Sequence, residues 1–531
     1  FEGYAFGSNF LTLKIKKKLI SCKMLKKKPK IMKMKMNTTI VKVVIIDKND
    51  FASQTSSKST KLIHGGVRYL EQAVKKLDWE QYKMVKKALK EREILLKNAP
   101  HLSRPLALLT PCFSFIESIY YTIGLKMYEW IAGSQNISSS ERLSKKEALE
   151  LIPELKQKRL NSAVMYYDGQ LDDARYCLAL IQTAVEKGVL AFNYVQANKF
   201  VKNEDTGRIK TLLAQDLLSG EGIQIHAKAF INATGPFADH IRKMANSKMK
   251  PRIKVSRGAH IVLPKKFLQG DAAILVPKTD DGRVIFMIPW QDHLLVGTTD
   301  EEDQLSENPK LEDYERTYLI DYVNRYLETP VTEKDVTSGF AGQRPLLEAK
   351  LHTALDSETK SLVRDHEVEI DKRSKLVSIM GGKWTTYRLM AKDTVDMVQE
   401  NVLKQSVVEC TTDQQVLFGG EGYLFDDWKI LVNKYNVSIE VAQHLMKKYG
   451  SNAGKVLELS NKDADLKSLL VAGHPFIKAE VVYAVRHEMA CTKEDVLLRR
   501  LGLALRDADA AAKAEWYVEE VLNVEGSGDR G

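Results

Sequence analysis

Ile40-Val-Lys-Val-Val-Ile-Ile-Asp47 is an apolar run that closes on an acid. Six of its eight residues are β-branched, so it favours an extended conformation. It lacks the polar alternation of a half-solvated strand, which predicts a strand buried in a parallel sheet. Parallel strands need long crossovers, most often helices, and the residues after it supply them. The spacing predicts a helix over 70–98, with Leu70, Ala73, Leu77, Tyr82, Val85, Leu89 and Ile94 on one face. Residues 159–175 read as a strand, a turn and a helix start, 173–188 as helix and 189–231 as strands. Residues 284–290 and 294–297 read as a hairpin, and from about 411 the pattern turns helical and polar. The fold class expected is α/β, with a second sheet inserted in its strand-rich middle and a C-terminal helical domain. The boundaries expected are 1–39 for an atypical Lys-rich segment, 40–400 for the α/β body and 411–522 for the helical domain.

Composition narrows the function. Of 531 residues, 44% are hydrophobic and 28% charged, which excludes disordered and collagen-like chains. The net charge of +11 is confined to residues 1–46, which carry twelve lysines and one acid, so the rest of the chain sums to zero. Charge localised in this way does not point to a nucleic-acid partner. Residues 11–36 are acid-free, as in transit peptides, but hold no Arg and little Ser. The five cysteines form no CxxC pair, which argues for reduced thiols and against a zinc or disulfide framework. No uncharged apolar run is long enough to span a bilayer. Residues 113–131 are aromatic and apolar with three charges, a composition that suits a bilayer interface or a buried amphipathic helix.

Five segments carry chemistry. Asp47 stands where an acid in a dinucleotide fold accepts the adenosine ribose hydroxyls, or where an acid simply caps the next turn of chain. The stretch 56–70 sets Ser56, Ser57, Thr60, His64, Gly65, Gly66, Arg68 and Tyr69 ahead of a long helix. That is more than capping needs: hydroxyls and amides at a helix start favour an anion, and the paired glycines admit a ligand to the backbone. Thr234 and Gly235 lie in an Ala-Thr-Gly turn after an apolar strand. Gly381, Gly382, Lys383 and Thr385 join a strand to a helix whose N-terminus would face developing negative charge. Arg344, Arg364 and Lys383 are separated cations suited to a phosphate or carboxylate.

Together these segments closely resemble FAD-dependent glycerol-3-phosphate dehydrogenase of the mitochondrial type. The matching stretches include SSKSTKLIHGGVRYLE (56–71), YYDGQLDDAR (166–175), INATGPFAD (231–239), DGRVIFMIPW (281–290), GQRPL (342–346), RDH (364–366), GGKWTTYR (381–388) and HPFIKAEVVYAVRHE (474–488). The resemblance implies an FAD-binding doubly wound (Rossmann-like) domain with an inserted mixed β-sheet substrate domain. It implies oxidation of sn-glycerol 3-phosphate to dihydroxyacetone phosphate, with FAD as cofactor, a membrane quinone as acceptor and a peripheral or monotopic place on the mitochondrial inner membrane. A homodimer is left open. Arg68, Tyr69, Arg344, Arg364 and Lys383 would hold the substrate, with Arg344 and Lys383 also at the reacting centre. Asp47, Ser56, Ser57, Thr60, His64, Gly65, Gly66, Thr234, Gly235, Gly381, Gly382 and Thr385 would hold the cofactor. His260, in Arg257-Gly-Ala-His260, is the candidate base or else a structural histidine.

The chain departs from the family at one point that matters. Family members carry a strand and a GxGxxG loop about 30 residues before the ribose acid. Residues 10–30 here contain no glycine, and Gly3 and Gly7 have the wrong spacing. The expectation is a missing central strand and a missing pyrophosphate loop. That absence supports a second reading, a flavin-free or catalytically impaired homologue. The residues after Arg500 contain no EF-hand loop.

Overall fold

The computed structural model describes residues 5–6, 39–40, 43–66, 79–348 and 366–527. Its centre is a ten-stranded mixed sheet. One path runs Glu301–Asp303, Ile253–Pro264, His293–Gly297, Ile285–Trp290, Ala273–Val276, Ser103–Cys112, Ser162–Leu171 and Leu62–Ile63. Ser338–Leu347 and Glu141–Ser144 pair alongside it. The pairing is antiparallel except between Ala273–Val276 and Ser103–Cys112. Successive side chains in a strand point to opposite faces, and both faces of this sheet are covered. Ile261 and Leu263 pack with Leu319 and Val323 of helix Asp313–Tyr326. Val262, between them, packs with Val85 and Leu89 of helix Trp79–Asn98 and Leu125 of helix Phe115–Ala132. The inserted sheet and the hairpin expected from the sequence are therefore present. Of the apolar face expected for 70–98, Val85, Leu89 and Ile94 are buried, while Leu70, Ala73 and Leu77 lie outside the described residues.

The parallel part comes in two pieces. Val44–Ile46 pairs in parallel with Leu190–Phe192. Ile231–Asn232 pairs in parallel with Val377–Ser378, and His366–Ile370 runs antiparallel on the far side of Val377–Gly381. Among the described residues no strand pairing joins these two sheets. The consequence is exposure: Val44, Ile45 and Ile46 are only half-buried, and Ile231 is 42% exposed. The strand expected over 40–47 is thus shorter and less buried than its composition predicts. The pieces are bridged by side chains, since Ile46 and Phe192 share a cluster with Phe230, Ile241, Met244 and Leu376.

The C-terminal region is helical, with helices Trp428–Tyr435, Ile439–Tyr449, Lys478–His487 and Ala508–Ser527 around Leu445, Val456, Phe476, Val481, Val496, Ala514 and Val518. No described helix is long and apolar enough to cross a membrane. Cys112, Cys177, Cys410 and Cys491 are free thiols.

Buried ion pairs fasten this region to the α/β body. Arg175 Nη1 and Nη2 donate to the two oxygens of Glu488, each at 2.7 Å. Asp50, three residues beyond Asp47, accepts from Arg499 Nε at 2.5 Å and from Arg500 Nη2 at 2.8 Å. Arg500 and Asp50 are fully buried. Breaking a buried pair from one side leaves an uncompensated charge. Arg500→Ala should therefore cost about 3–5 kcal/mol of unfolding free energy. A loss under about 1 kcal/mol in urea titration would show that Arg499 alone satisfies Asp50.

Candidate active site

The loop 54–66 is fixed from below by one carboxylate. Asp173 is the first residue of helix Asp173–Glu186, whose positive end favours an acid. Its Oδ2 accepts from Ser59 N (3.0 Å) and Ser59 Oγ (2.7 Å), and its Oδ1 accepts from Lys61 Nζ (2.6 Å). Lys61 also donates to Ser57 O at 2.6 Å and lies 5.1 Å from the Trp290 ring and 5.3 Å from that of Phe340. These contacts satisfy a buried ammonium and leave the loop one conformation.

The far end of the loop meets a second buried network. Gly65 N donates to Tyr128 Oη at 2.7 Å, Tyr128 Oη donates to Asp168 at 3.0 Å, and Arg92 pairs with Asp168 at 2.6 Å. A Cβ on Gly65 would fall 2.6 Å from Tyr128 Oη and 2.7 Å from Leu89. The bare backbone at Gly65 is used by protein side chains, and its amide is taken. This differs from the sequence expectation of ligand approach at this glycine. Gly66 has φ +85°.

Three other motifs reach the same place. Trp384 Nε1 donates to Ser56 O at 3.0 Å, and His64 N donates to Thr385 Oγ1 at 3.3 Å, tying the loop to the turn after Val377–Gly381. Gly381 and Gly382 in that turn have φ +71° and +86°, which a glycine adopts without strain. Thr55 Oγ1 donates to Gln343 O at 2.6 Å, bringing in strand Ser338–Leu347. The turn Gly235–Phe237 contacts that strand and Val377–Gly381. Asn232 holds the Ala-Thr-Gly turn by donating to Ala238 O and accepting from Thr234 Oγ1 at 2.8 Å. Ala233 and Thr234 are exposed, and no atom lies within 4 Å of a Cβ placed on Gly235. The turn therefore borders open space.

At the sheet, Arg344 pairs with Asp300 at 3.1 Å and donates to Thr298 Oγ1 at 3.0 Å and Thr299 O at 3.2 Å. Its side chain is 28% exposed. A Cβ on Gly258 would strike its guanidinium, and one on Gly297 would strike the His260 ring. Both glycines make room for site side chains. His260 is buried, stacks 5.0 Å from Phe340, and shares a 3.0 Å hydrogen bond between its Nε2 and Thr60 Oγ1. Burial, then Arg344 and Lys61, hold its pKa well below the ordinary 6.5, so the imidazole is neutral at pH 7. Arg68, Tyr69 and Arg364 lie outside the described residues. Lys383 is half-buried at the start of the turn Trp384–Thr386.

Asp47 closes strand Val44–Ile46, its main chain bonded to Phe192 O and Val195 N. Its carboxylate accepts from Asn49 N at 3.0 Å. Burial pushes its pKa up to about 6. A half-buried acid with one donor suits a ligand that brings hydroxyls. The donor set fits FAD from this acid along the loop to the open face at Gly235 and the turn at Gly381–Gly382. The sequence before Asp47 offers no glycine-rich loop for the diphosphate.

Comparison with known proteins identifies the family. The family model for FAD dependent oxidoreductase matches residues 38–386, and that for the C-terminal domain of alpha-glycerophosphate oxidase matches 410–526. The chain belongs to the FAD-dependent oxidoreductase family that includes the mitochondrial glycerol-3-phosphate dehydrogenases. It is 40% identical over 508 residues to the mitochondrial glycerol-3-phosphate dehydrogenase of Arabidopsis thaliana, spanning 92% of this chain and 80% of that one. Against the human mitochondrial enzyme it is 39% identical over 496 residues, spanning 91% and 67%. The crystal structure of the Bacillus halodurans glycerol-3-phosphate dehydrogenase complexed with FAD superposes with a TM-score of 0.72 at 28% identity, over 92% of this chain and 87% of that one.

Sequence reading missed the carboxylates that hold the loop. Asp168 and Asp173 sit in a stretch already matched to the family, but their partners Arg92 and Lys61 lie 76 and 112 residues away. Asp47 yields a test in which stability and binding part company. Its folded pKa exceeds its unfolded value of 3.8, so its cost appears as pH rises from there and is full above about 6. Asp47→Asn should stabilise the ligand-free chain at pH 8, by on the order of 1–3 kcal/mol, and weaken FAD about tenfold. Melting curves with and without FAD check both signs. A variant that melts lower in both conditions would mean that Asp47 is structural.

Proposed function

We propose that this chain oxidises sn-glycerol 3-phosphate to dihydroxyacetone phosphate, using FAD and passing the electrons to a membrane quinone at the mitochondrial inner membrane. The observation that carries this reading is the placement of Arg344 beside a neutral, buried His260 in the space left by Gly258 and Gly297. The near-neutral body supplies no diffuse field for a dianion, so placed cations do that work. Arg344 pairs with Asp300 and stays partly exposed, so an arriving phosphate can compete with that carboxylate. Lys383, with Arg68, Tyr69 and Arg364 by resemblance, completes the substrate set. Bound FAD supplies the hydride acceptor for C2. The proton of the C2 hydroxyl passes to Thr60 Oγ1 as Thr60 gives its own to His260 Nε2. The depressed pKa keeps the ring neutral at pH 7, and Nε2 is the accepting nitrogen in the tautomer that carries its proton on Nδ1.

Arg344→Gln should raise KM for glycerol 3-phosphate roughly tenfold or more and leave the flavin spectrum unchanged. His260→Ala should lower kcat by about 10²–10⁴ with little change in KM. On this group's account, the acid limb of the wild-type kcat profile should lie below pH 6.5. An unchanged KM for the arginine variant would remove it from the substrate site. The split parallel sheet favours a second reading, a flavin-free homologue. Purified chain that stays colourless with added FAD would establish that one instead.

Helix Phe115–Ala132 presents Ile116 at 80% and Trp130 at 77% exposure, with Phe115, Ile119, Tyr120 and Ile123 also exposed. Such an apolar face on a helix too polar to span suits the bilayer interface. Ile116→Glu with Ile123→Glu should abolish co-sedimentation with phospholipid vesicles while dye-linked activity persists. Unchanged co-sedimentation would place membrane contact elsewhere.

A further inference from the structure

Two histidines meet over one carboxylate where the helical region touches the central sheet. Asp292 lies in the turn between strands Ile285–Trp290 and His293–Gly297, and His293 follows it. His474 precedes helix Lys478–His487, and Arg506 and Asp507 precede helix Ala508–Ser527. The rings of His293 and His474 stack with centres 6.0 Å apart and planes 5° apart. His474 Nδ1 lies 3.2 Å from Asp292 Oδ2, and its Nε2 lies 3.2 Å from Asp507 Oδ2. His293 Nδ1 and Arg506 Nη1 lie 3.0 Å and 2.8 Å from Asp292 Oδ1. None of these groups has a part in the flavin and substrate site.

The arrangement suits a charged imidazole. A neutral ring has one N–H, so one nitrogen of His474 would turn its lone pair towards a carboxylate. The cation answers both acids at once, and the ring is buried between them. Asp292 and His293 face it from the hairpin, Arg506 and Asp507 from the start of the last helix, and the Phe476 ring from its own segment. Asp292, working against burial, and then Asp507 raise its pKa above 6.5, while Arg506 opposes them. Both acids are held below their ordinary 3.8. A raised folded pKa means stability that is full below 6.5 and lost as pH rises through the folded value. The other fastenings of the helical region, Arg175 with Glu488 and Arg499 and Arg500 with Asp50, pair arginines with carboxylates that keep their charges over that range. The hairpin held by His474 runs on to Gly297, which lies opposite His260 in the sheet.

We propose that His474 is a proton-operated latch. Charged, it fastens the C-terminal helical region to the hairpin 285–297 through Asp292 and Asp507; neutral, it lets that hairpin loosen. The test is deuterium exchange of the full chain at pH 6 and pH 9, corrected for the intrinsic rate at each. In the wild type, protection of 285–297 should fall about tenfold between the two. In His474→Gln it should be low at both, with 173–186, on the arginine side, protected as in the wild type. Asp507→Asn removes one acid and keeps the shape, so the fall should move to lower pH. That variant decides the matter if the glutamine variant does not fold. Equal wild-type protection at pH 6 and pH 9 would overturn the proposal. So would a fall in His474→Gln as large as the wild type's; its disappearance in His293→Gln would give the proton to the neighbouring ring. Loss of protection over 173–186 as well would show that His474 only supports the fold, and would overturn the latch.

Discussion

Asp173 is the carboxylate on which the geometry of the site depends. It is fully buried and carries at once the ammonium of Lys61 and the amide and hydroxyl of Ser59. Without it, residues 56–61 would be a polar loop with several solvated conformations. With it, Thr60 reaches His260, Ser56 O meets Trp384, and the residues up to Gly65 run on to Tyr128. The cost of burying this acid is met by a helix N-terminus and three donors, which is how buried charge is tolerated at all. The loop's geometry comes from charges paired with one another inside the protein.

Much of the architecture was legible in the sequence because it rests on local signals. The hairpin at 284–297 and the helix ending at Asn98 arise from residue type and period. The parallel strand at 44–46 was legible in kind but not in setting. Six β-branched residues in eight promise burial on both faces, but burial depends on neighbours, and Ile231–Asn232 is not paired to it. The site was legible as a set of segments. How those segments touch was not, because the contacts are long-range: Ser56 to Trp384 spans 328 residues and Thr60 to His260 spans 200. Gly65 shows the limit most clearly. A glycine pair beside hydroxyls reads as room for a ligand, yet the room is filled by Tyr128 and Leu89, which no local pattern reveals.

On the proposed reading, in which His260 accepts a proton, burial divides two properties that such a base needs together. Desolvation and two nearby cations keep the ring neutral, which a proton acceptor needs. The same forces make it a weaker base than an exposed imidazole. The hydroxyl of Thr60 reconciles them by carrying the contact outward, so the ring can stay stacked on Phe340.

The two halves of the parallel sheet keep their places without strand-to-strand bonds between them among the described residues. Their separation is set by the side-chain cluster they share and by attachments outside it. The half bearing Val44–Ile46 is clamped through Asp50 to Arg499 and Arg500, and the other half is seated through Met380 against Leu347 and Ala238. The C-terminal region is thus one stop of a gauge whose other stop is strand Ser338–Leu347.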